Sequence, residues 1–124
     1  MSERILIIDD DAMLAEALSE FLSGQGYEIH CAGEREEAET LLAHHSYALV
    51  ITDLALSPLG LSGVDVLDSI ADRATRPKVI VYSGHVDPDL TSRLESRGVD
   101  AFLQKPQPLL EVARVAACLL GHLA

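Results

Sequence analysis

Val50-Ile51-Thr52-Asp53 is the stretch whose reading decides the fold. Three residues suited to a buried strand run straight into a carboxylate, and Leu54-Ala55-Leu56-Ser57-Pro58 lets neither strand nor helix continue. A strand ending in Asp puts its charge at the rim of a sheet, where open α/β folds place their chemistry. Other runs end in the same way. Ile5-Leu6-Ile7-Ile8 empties into Asp9-Asp10-Asp11, Val79-Ile80-Val81-Tyr82 into Ser83-Gly84, and Ala101-Phe102-Leu103-Gln104 into Lys105-Pro106. Apolar runs thus deliver an acid cluster, an acid, a hydroxyl and a lysine, in that order.

Helical patterns fill the intervals. After the acid cluster, Leu14, Ala15, Leu18, Phe21 and Leu22 fall on one helical face, with Asp11 as N-cap and Gly24 or Gly26 as terminator. Tyr27 to Ala32 reads as a strand, Glu36 to Ala43 as a helix with Ala38, Leu41 and Leu42 inward, and Ala48 to Thr52 as the next strand. A loop from Leu54 to Gly63 leads into a helix over Val64 to Ala74, with Leu67, Ile70, Ala71 and Ala74 inward. Asp87-Pro88 opens a helix that Gly98 closes, and Pro108 starts a last helix expected to run to the end. Strands alternating with helices at this spacing predict a parallel sheet with helices on both faces.

The chain of 124 residues is expected to be a single domain, 1–124, with one conventional core. With 48% hydrophobic but only 4% aromatic residues, that core is aliphatic. A net charge of -11 with no basic tract argues against nucleic acid as a partner, because phosphate contacts need clustered Lys and Arg. Cys31 and Cys118 have neither metal-site nor disulfide spacing. Both lie in apolar runs and are expected as buried free thiols in a reducing compartment. No charged-then-apolar leader follows Met1 and no apolar run approaches the ~20 residues that span a bilayer, so a cytoplasmic protein without membrane contact is expected.

Asp9, Asp10 and Asp53, at adjacent strand ends, would gather carboxylates in one crevice. Such a cluster is costly unless a cation neutralises it, and oxygen-only ligands suit Mg²⁺. Lys105 offers a compact charge to a phosphoryl oxygen and Ser83 a hydrogen bond to another. A carboxylate beside Mg²⁺ can act as the nucleophile and form an acyl phosphate.

These residues carry a family resemblance. The runs Ile5 to Asp11, Val50 to Leu54, Val81 to Gly84 and Phe102 to Pro106 resemble the response-regulator receiver domain of two-component signalling, over essentially the whole chain. The resemblance implies a flavodoxin-like (βα)5 fold, a five-stranded parallel sheet in the order 2-1-3-4-5. It implies Asp53 as phosphoacceptor and Asp9, Asp10, Asp53 and the backbone carbonyl of Ala55 as Mg²⁺ ligands. It also implies Ser83 as the switch hydroxyl, Lys105 as the phosphate-binding lysine before a cis peptide bond to Pro106, and Phe102 as the aromatic switch. The implied donor is a sensor histidine kinase or a histidine phosphotransfer protein, and the implied output is a changed protein–protein contact. Two departures stand out. The loop after Asp53 carries two residues more than the family's usual spacing, and position 55 is Ala where receivers often have a longer side chain.

The last helix adds a candidate surface. At ~100° per residue its apolar positions spread over about 220° of arc, wider than one-sided burial requires. Leu110, Val115, Ala117 and Leu119 are the surplus, read as deep core or as a partner or homodimer surface. Because the chain ends with this helix, a stand-alone switch is expected, with a phosphate carrier as the variant within the class. Among the histidines, His30, His44, His45 and His122 are expected at the surface, and His85 above the site.

The alternative from another class is a haloacid-dehalogenase-like phosphatase with Asp9 as nucleophile. It leaves Asp53 idle and needs a downstream acidic pair, whereas only Glu111 follows Lys105. A flavin-binding module lacks its hydroxyl-rich phosphate loop.

Overall fold

A computed structural model describes residues 3–54, 67, 70, 76–84 and 88–122. Five parallel strands, β1 (Arg4–Ile8), β2 (Glu28–Ala32), β3 (Leu49–Thr52), β4 (Lys78–Ser83) and β5 (Ala101–Gln104), form one sheet in the order β2-β1-β3-β4-β5. The helices among the described residues are α1 (Ala12–Gly24), α2 (Arg35–His44), α3 (Pro88–Glu95) and α4 (Leu109–Leu119). The flavodoxin-like order and the parallel sheet are as expected. The expected helix over 64–74 and the loop before it lie outside the described residues, except that Leu67 and Ile70 are helical and buried.

Strand alternation sorts the core into two layers. Leu6, Ile8, Val50, Val79 and Val81 pack on one face with Ala38, Leu42, Leu67, Ile70 and Leu94. Ile5, Ile7, Leu49, Ile51, Ile80 and Tyr82 pack on the other with Ala15, Leu18, Leu22, Val112, Ala113 and Ala116. Thus α1 and α4 cover one face, while α2, α3 and the residues at 67 and 70 cover the other. The chain leaves β1 toward the β2 edge and then returns past it to β3, so the strand order reverses between β1 and β3. A crevice opens above their C-terminal ends for that reason.

The local signals mostly act as read. Asp11 caps α1, its Oδ1 accepting from the Leu14 N–H at 3.2 Å. Gly26 takes φ 103 after α1 and Gly98 takes φ 92 after α3, the left-handed conformation that ends these helices most cheaply.

Several expectations are corrected. The last helix stops at Leu119, and Gly121 at φ 76 turns the chain. Cys31 and Cys118 are exposed, not buried. The edge position of β2 leaves the strand only partly covered, and Cys118 lies two residues, about 200°, around α4 from buried Ala116. His30 and His45 are half-buried because they pack edge-on against Tyr47, and His30 Nδ1 lies 2.7 Å from the Tyr47 hydroxyl. His44 and His122 are exposed, as expected, and His85 lies outside the described residues.

Candidate functional site

Each strand-end residue of the site is aligned by one last rung of sheet hydrogen bonding. The Asp9 N–H donates to the Ala32 carbonyl at 3.0 Å, the Asp53 N–H to Ile8 at 2.9 Å, and the Lys105 N–H to Ser83 at 2.9 Å. The backbone is therefore fixed up to the residue that carries the charge. Beyond it, Pro106, joined to Lys105 by a cis peptide bond, prevents further pairing after β5. Ser83 is the last residue of β4 and is 4% exposed.

The side chains converge across the reversal point. Lys105 Nζ donates to Asp9 Oδ2 and to Asp53 Oδ2, both at 2.7 Å. Asp9 and Asp53 are buried while Asp10 is exposed, and one carboxylate oxygen from each of the three lies within 4.8 Å of the others. Asp9 Oδ1 also accepts from the Asp11 N–H at 2.9 Å. Sequence separations of 96 and 52 residues between Lys105 and its two carboxylates are closed only by the fold.

The electrostatics follow from this packing. Burial pushes the Asp9 carboxyl above its usual range, and the hydrogen bonds from Lys105 and from the Asp11 N–H offset that only in part. Burial alone would pull the Lys105 ammonium down, but its hydrogen bonds to Asp53 and Asp9 outweigh this and hold it above its usual range. Counted formally, one ammonium against three carboxylates leaves about two negative charges, the deficit that a divalent cation cancels. The all-oxygen donor set, with one exposed member open to water, fits Mg²⁺. Beside this cluster a crevice of about 420 Å³ is lined by Asp9 and Asp10 together with Glu16, Glu20, Cys31 and Glu37.

Of the other residues singled out, Phe102 is half-buried on β5, where it packs partly against the first core layer. Leu110 is 67% exposed near the start of α4. Val115, Ala117 and Leu119 are half-buried, with Val115 and Leu119 packed against the second core layer. Ala55 lies outside the described residues. Sequence reading passes over Tyr82, whose hydroxyl contacts the chain just beyond Lys105. A polar aromatic at the end of an otherwise apolar run, directly before Ser83, was the available signal.

The family profile described as response regulator receiver domain matches residues 5–116. The DNA-binding response regulator MtrA of Mycobacterium tuberculosis (strain CDC 1551 / Oshkosh) is 37% identical over 118 residues, which cover 94% of this chain and 50% of MtrA. The transcriptional regulatory protein PmrA of Pectobacterium parmentieri is 36% identical over 119 residues, covering 92% of this chain and 51% of PmrA. The chain spans about half the length of the curated relatives it matches. Among solved structures, the non-phosphorylated HemR receiver domain from Leptospira biflexa superposes with a TM-score of 0.89 at 27% identity, covering 99% of this chain and 98% of that one. The phosphatase alternative finds no support in these relatives. Receiver domains bind Mg²⁺ at an acidic pocket, and response regulators interact with histidine kinases and downstream effectors. The strand order, the carboxylate–lysine cluster at the reversal point and the matched profile agree, and the chain belongs to the response-regulator receiver family, a family of signalling domains.

Proposed function

We propose that Asp53 accepts a phosphoryl group from a phosphohistidine on a sensor kinase or histidine phosphotransfer protein. A carboxylate oxygen of Asp53 forms the new P–O bond as the P–N bond of the donor breaks, which leaves an acyl phosphate on this chain. The observation that carries this reading is the Lys105 ammonium, 2.7 Å from both Asp9 and Asp53. That position brings a cation to the one carboxylate where phosphoryl charge would accumulate.

Asp9, Asp10 and Asp53, with the backbone carbonyl of Ala55, would hold Mg²⁺. The cation supplies charge neutralisation between the Asp53 carboxylate and the incoming phosphoryl oxygens. Lys105 follows the phosphoryl oxygens once Asp53 is modified, and the Ser83 hydroxyl donates to another of them. The domain in this way catalyses its own phosphorylation, and its dephosphorylation when water attacks phosphorus, the Asp53 O–P bond breaks and inorganic phosphate leaves. Movement of Ser83 frees space into which Phe102 turns, and the surface of β5 and α4 changes with it. A downstream protein, or a second copy of the chain, reads the state on that surface, a reading that the 67% exposure of Leu110 supports.

The segment 1–124 acts in this reading as one cytoplasmic receiver domain with protein partners. A net charge of -11 supports protein partners over nucleic acid or a membrane surface. Among the described residues no helix is long and apolar enough to cross a bilayer.

Intact mass after incubation with Mg²⁺ and acetyl phosphate, quenched quickly, tests the reading. A single phosphoryl adduct is expected on the wild type, absent from Asp53→Asn and lost when EDTA is present. An adduct that survives in Asp53→Asn and disappears in Asp9→Asn would overturn it.

A further inference from the structure

Tyr82 is a buried polar group that the proposed chemistry leaves unused. It is 2% exposed, precedes Ser83 in β4 and packs in the core layer under α1 and α4. Its hydroxyl accepts from the Gln107 N–H at 2.9 Å, and the Gln107 carbonyl lies 3.5 Å away, at the limit of a hydrogen bond. The face of its ring lies 5.6 Å from Lys105 Nζ, within reach of a cation–π attraction. A phenylalanine or leucine would fill the same space without desolvating a hydroxyl, so the hydroxyl needs the partner that it has.

The place of that partner gives the contact its meaning. Beyond β5 the Lys105 N–H still pairs with the Ser83 carbonyl. Pro106 has no N–H to offer. Gln107 therefore supplies the next backbone donor, and Tyr82 takes it. The segment Lys105–Gln107 is tied to the end of β4 at two successive residues, one rung on Ser83 and one on Tyr82. At rest the ammonium is also held by two carboxylates at 2.7 Å. When Asp53 carries a phosphoryl group that arrangement must change, and a lysine stem with four carbons has ample freedom to drift. Asp9 and the phosphoryl oxygens then draw the ammonium, and the backbone tether and the ring fix the point from which it reaches them.

We propose that Tyr82 is a positioning residue for phosphoryl transfer, anchoring the Lys105 segment through the Gln107 N–H and bordering the ammonium with its ring. The proposal rests on Asp53 being the phosphoacceptor. The test compares wild type, Asp53→Asn, Tyr82→Phe, Lys105→Ala and the Tyr82→Phe/Lys105→Ala double variant. Each is incubated with acetyl phosphate at saturating Mg²⁺, and uptake is followed by intact mass, over a longer time course for the lysine variants. Loss of one anchoring hydrogen bond is expected to slow uptake by Tyr82→Phe about fivefold. Mg²⁺ affinity should stay unchanged, and the rate ratio should fall to about one in the Lys105→Ala background, as for two residues acting through one group.

A Tyr82→Phe variant that matches wild type overturns the proposal. So does an equal loss with and without Lys105, or a loss that Mg²⁺ affinity tracks, since either would be a structural effect. If wild type takes up no group, or Asp53→Asn takes it up as well, the phosphoacceptor reading fails and this one with it. A wild-type adduct absent from Asp53→Asn, beside an unimpaired Tyr82→Phe, overturns the role of Tyr82 alone.

Discussion

Strand β1 has an ion-pair cluster at each of its ends, and the two differ in almost everything except charge. At its start Arg4 pairs with Glu28 of β2, and Glu28 also lies 3.4 Å from His30 Nε2. The side chains of Arg4 and Glu28 are 33% and 50% exposed. Just past its end, Asp9 shares Lys105 with Asp53, and there the side-chain exposures are 4% for Asp9, 20% for Lys105 and 10% for Asp53. In the first cluster water screens the pair and competes for it. In the second, three ionisable groups depend on one another for solvation, so removing one leaves the rest without a substitute. Proximity of opposite charges is common to both clusters, and only burial makes one of them a site.

Perturbation should separate the clusters by size of effect. The largest is expected for Lys105→Ala without Mg²⁺, which leaves Asp9 and Asp53 facing each other. Denaturant titration should register a loss of about 3 kcal/mol, as for other broken buried pairs. Mg²⁺ addition to the wild type comes next: at a hundredfold excess over its dissociation constant, it should raise stability by about 2.7 kcal/mol. Asp53→Asn should lose much of that gain, whereas Glu28→Gln should keep all of it. Tyr47→Phe, at the other end of the sheet, removes the hydrogen bond to His30 and should cost about 1 kcal/mol by the same titration.

Glu28→Gln is expected to be the smallest change, with the denaturation midpoint at neutral pH unmoved within error. Hydrogen bonding to Arg4 holds the Glu28 carboxyl below its usual range. Its contribution is thus present above the unfolded carboxylate pKa and fades as pH falls through the lower folded value. High salt should weaken it further while leaving the Lys105 cluster largely intact. A large effect of Glu28→Gln, or a negligible one of Lys105→Ala, would break the distinction between the two ends.

Much of this molecule was legible in the sequence because strand, breaker and charge fall next to one another in it. Ile5 to Ile8 followed by Asp9-Asp10, and Val50 to Thr52 followed by Asp53, needed no tertiary information, since a strand's period and its end are local properties. The same holds for Asp11 as a cap and for Gly26 and Gly98 as stops. Burial was less legible. Cys31 lies in Glu28-Ile29-His30-Cys31-Ala32, where Glu28 and His30 interrupt the apolar residues as suits the edge strand that β2 is, a signal that the expectation of a buried thiol passes over. On α4, Leu110 and Val115 belong to the same apolar surplus, but the rotation of the helix exposes one and half-buries the other.

The sequence by itself determined which chemical groups stand at the ends of which strands, and the family to which that order belongs. Only the tertiary structure decided that Lys105 bridges Asp9 and Asp53, that Tyr82 reaches Gln107, and that His30 packs on Tyr47. Each of these contacts joins segments distant in the chain. Their geometry depends on strand order and on how each helix is rotated against the sheet, which the whole core sets together.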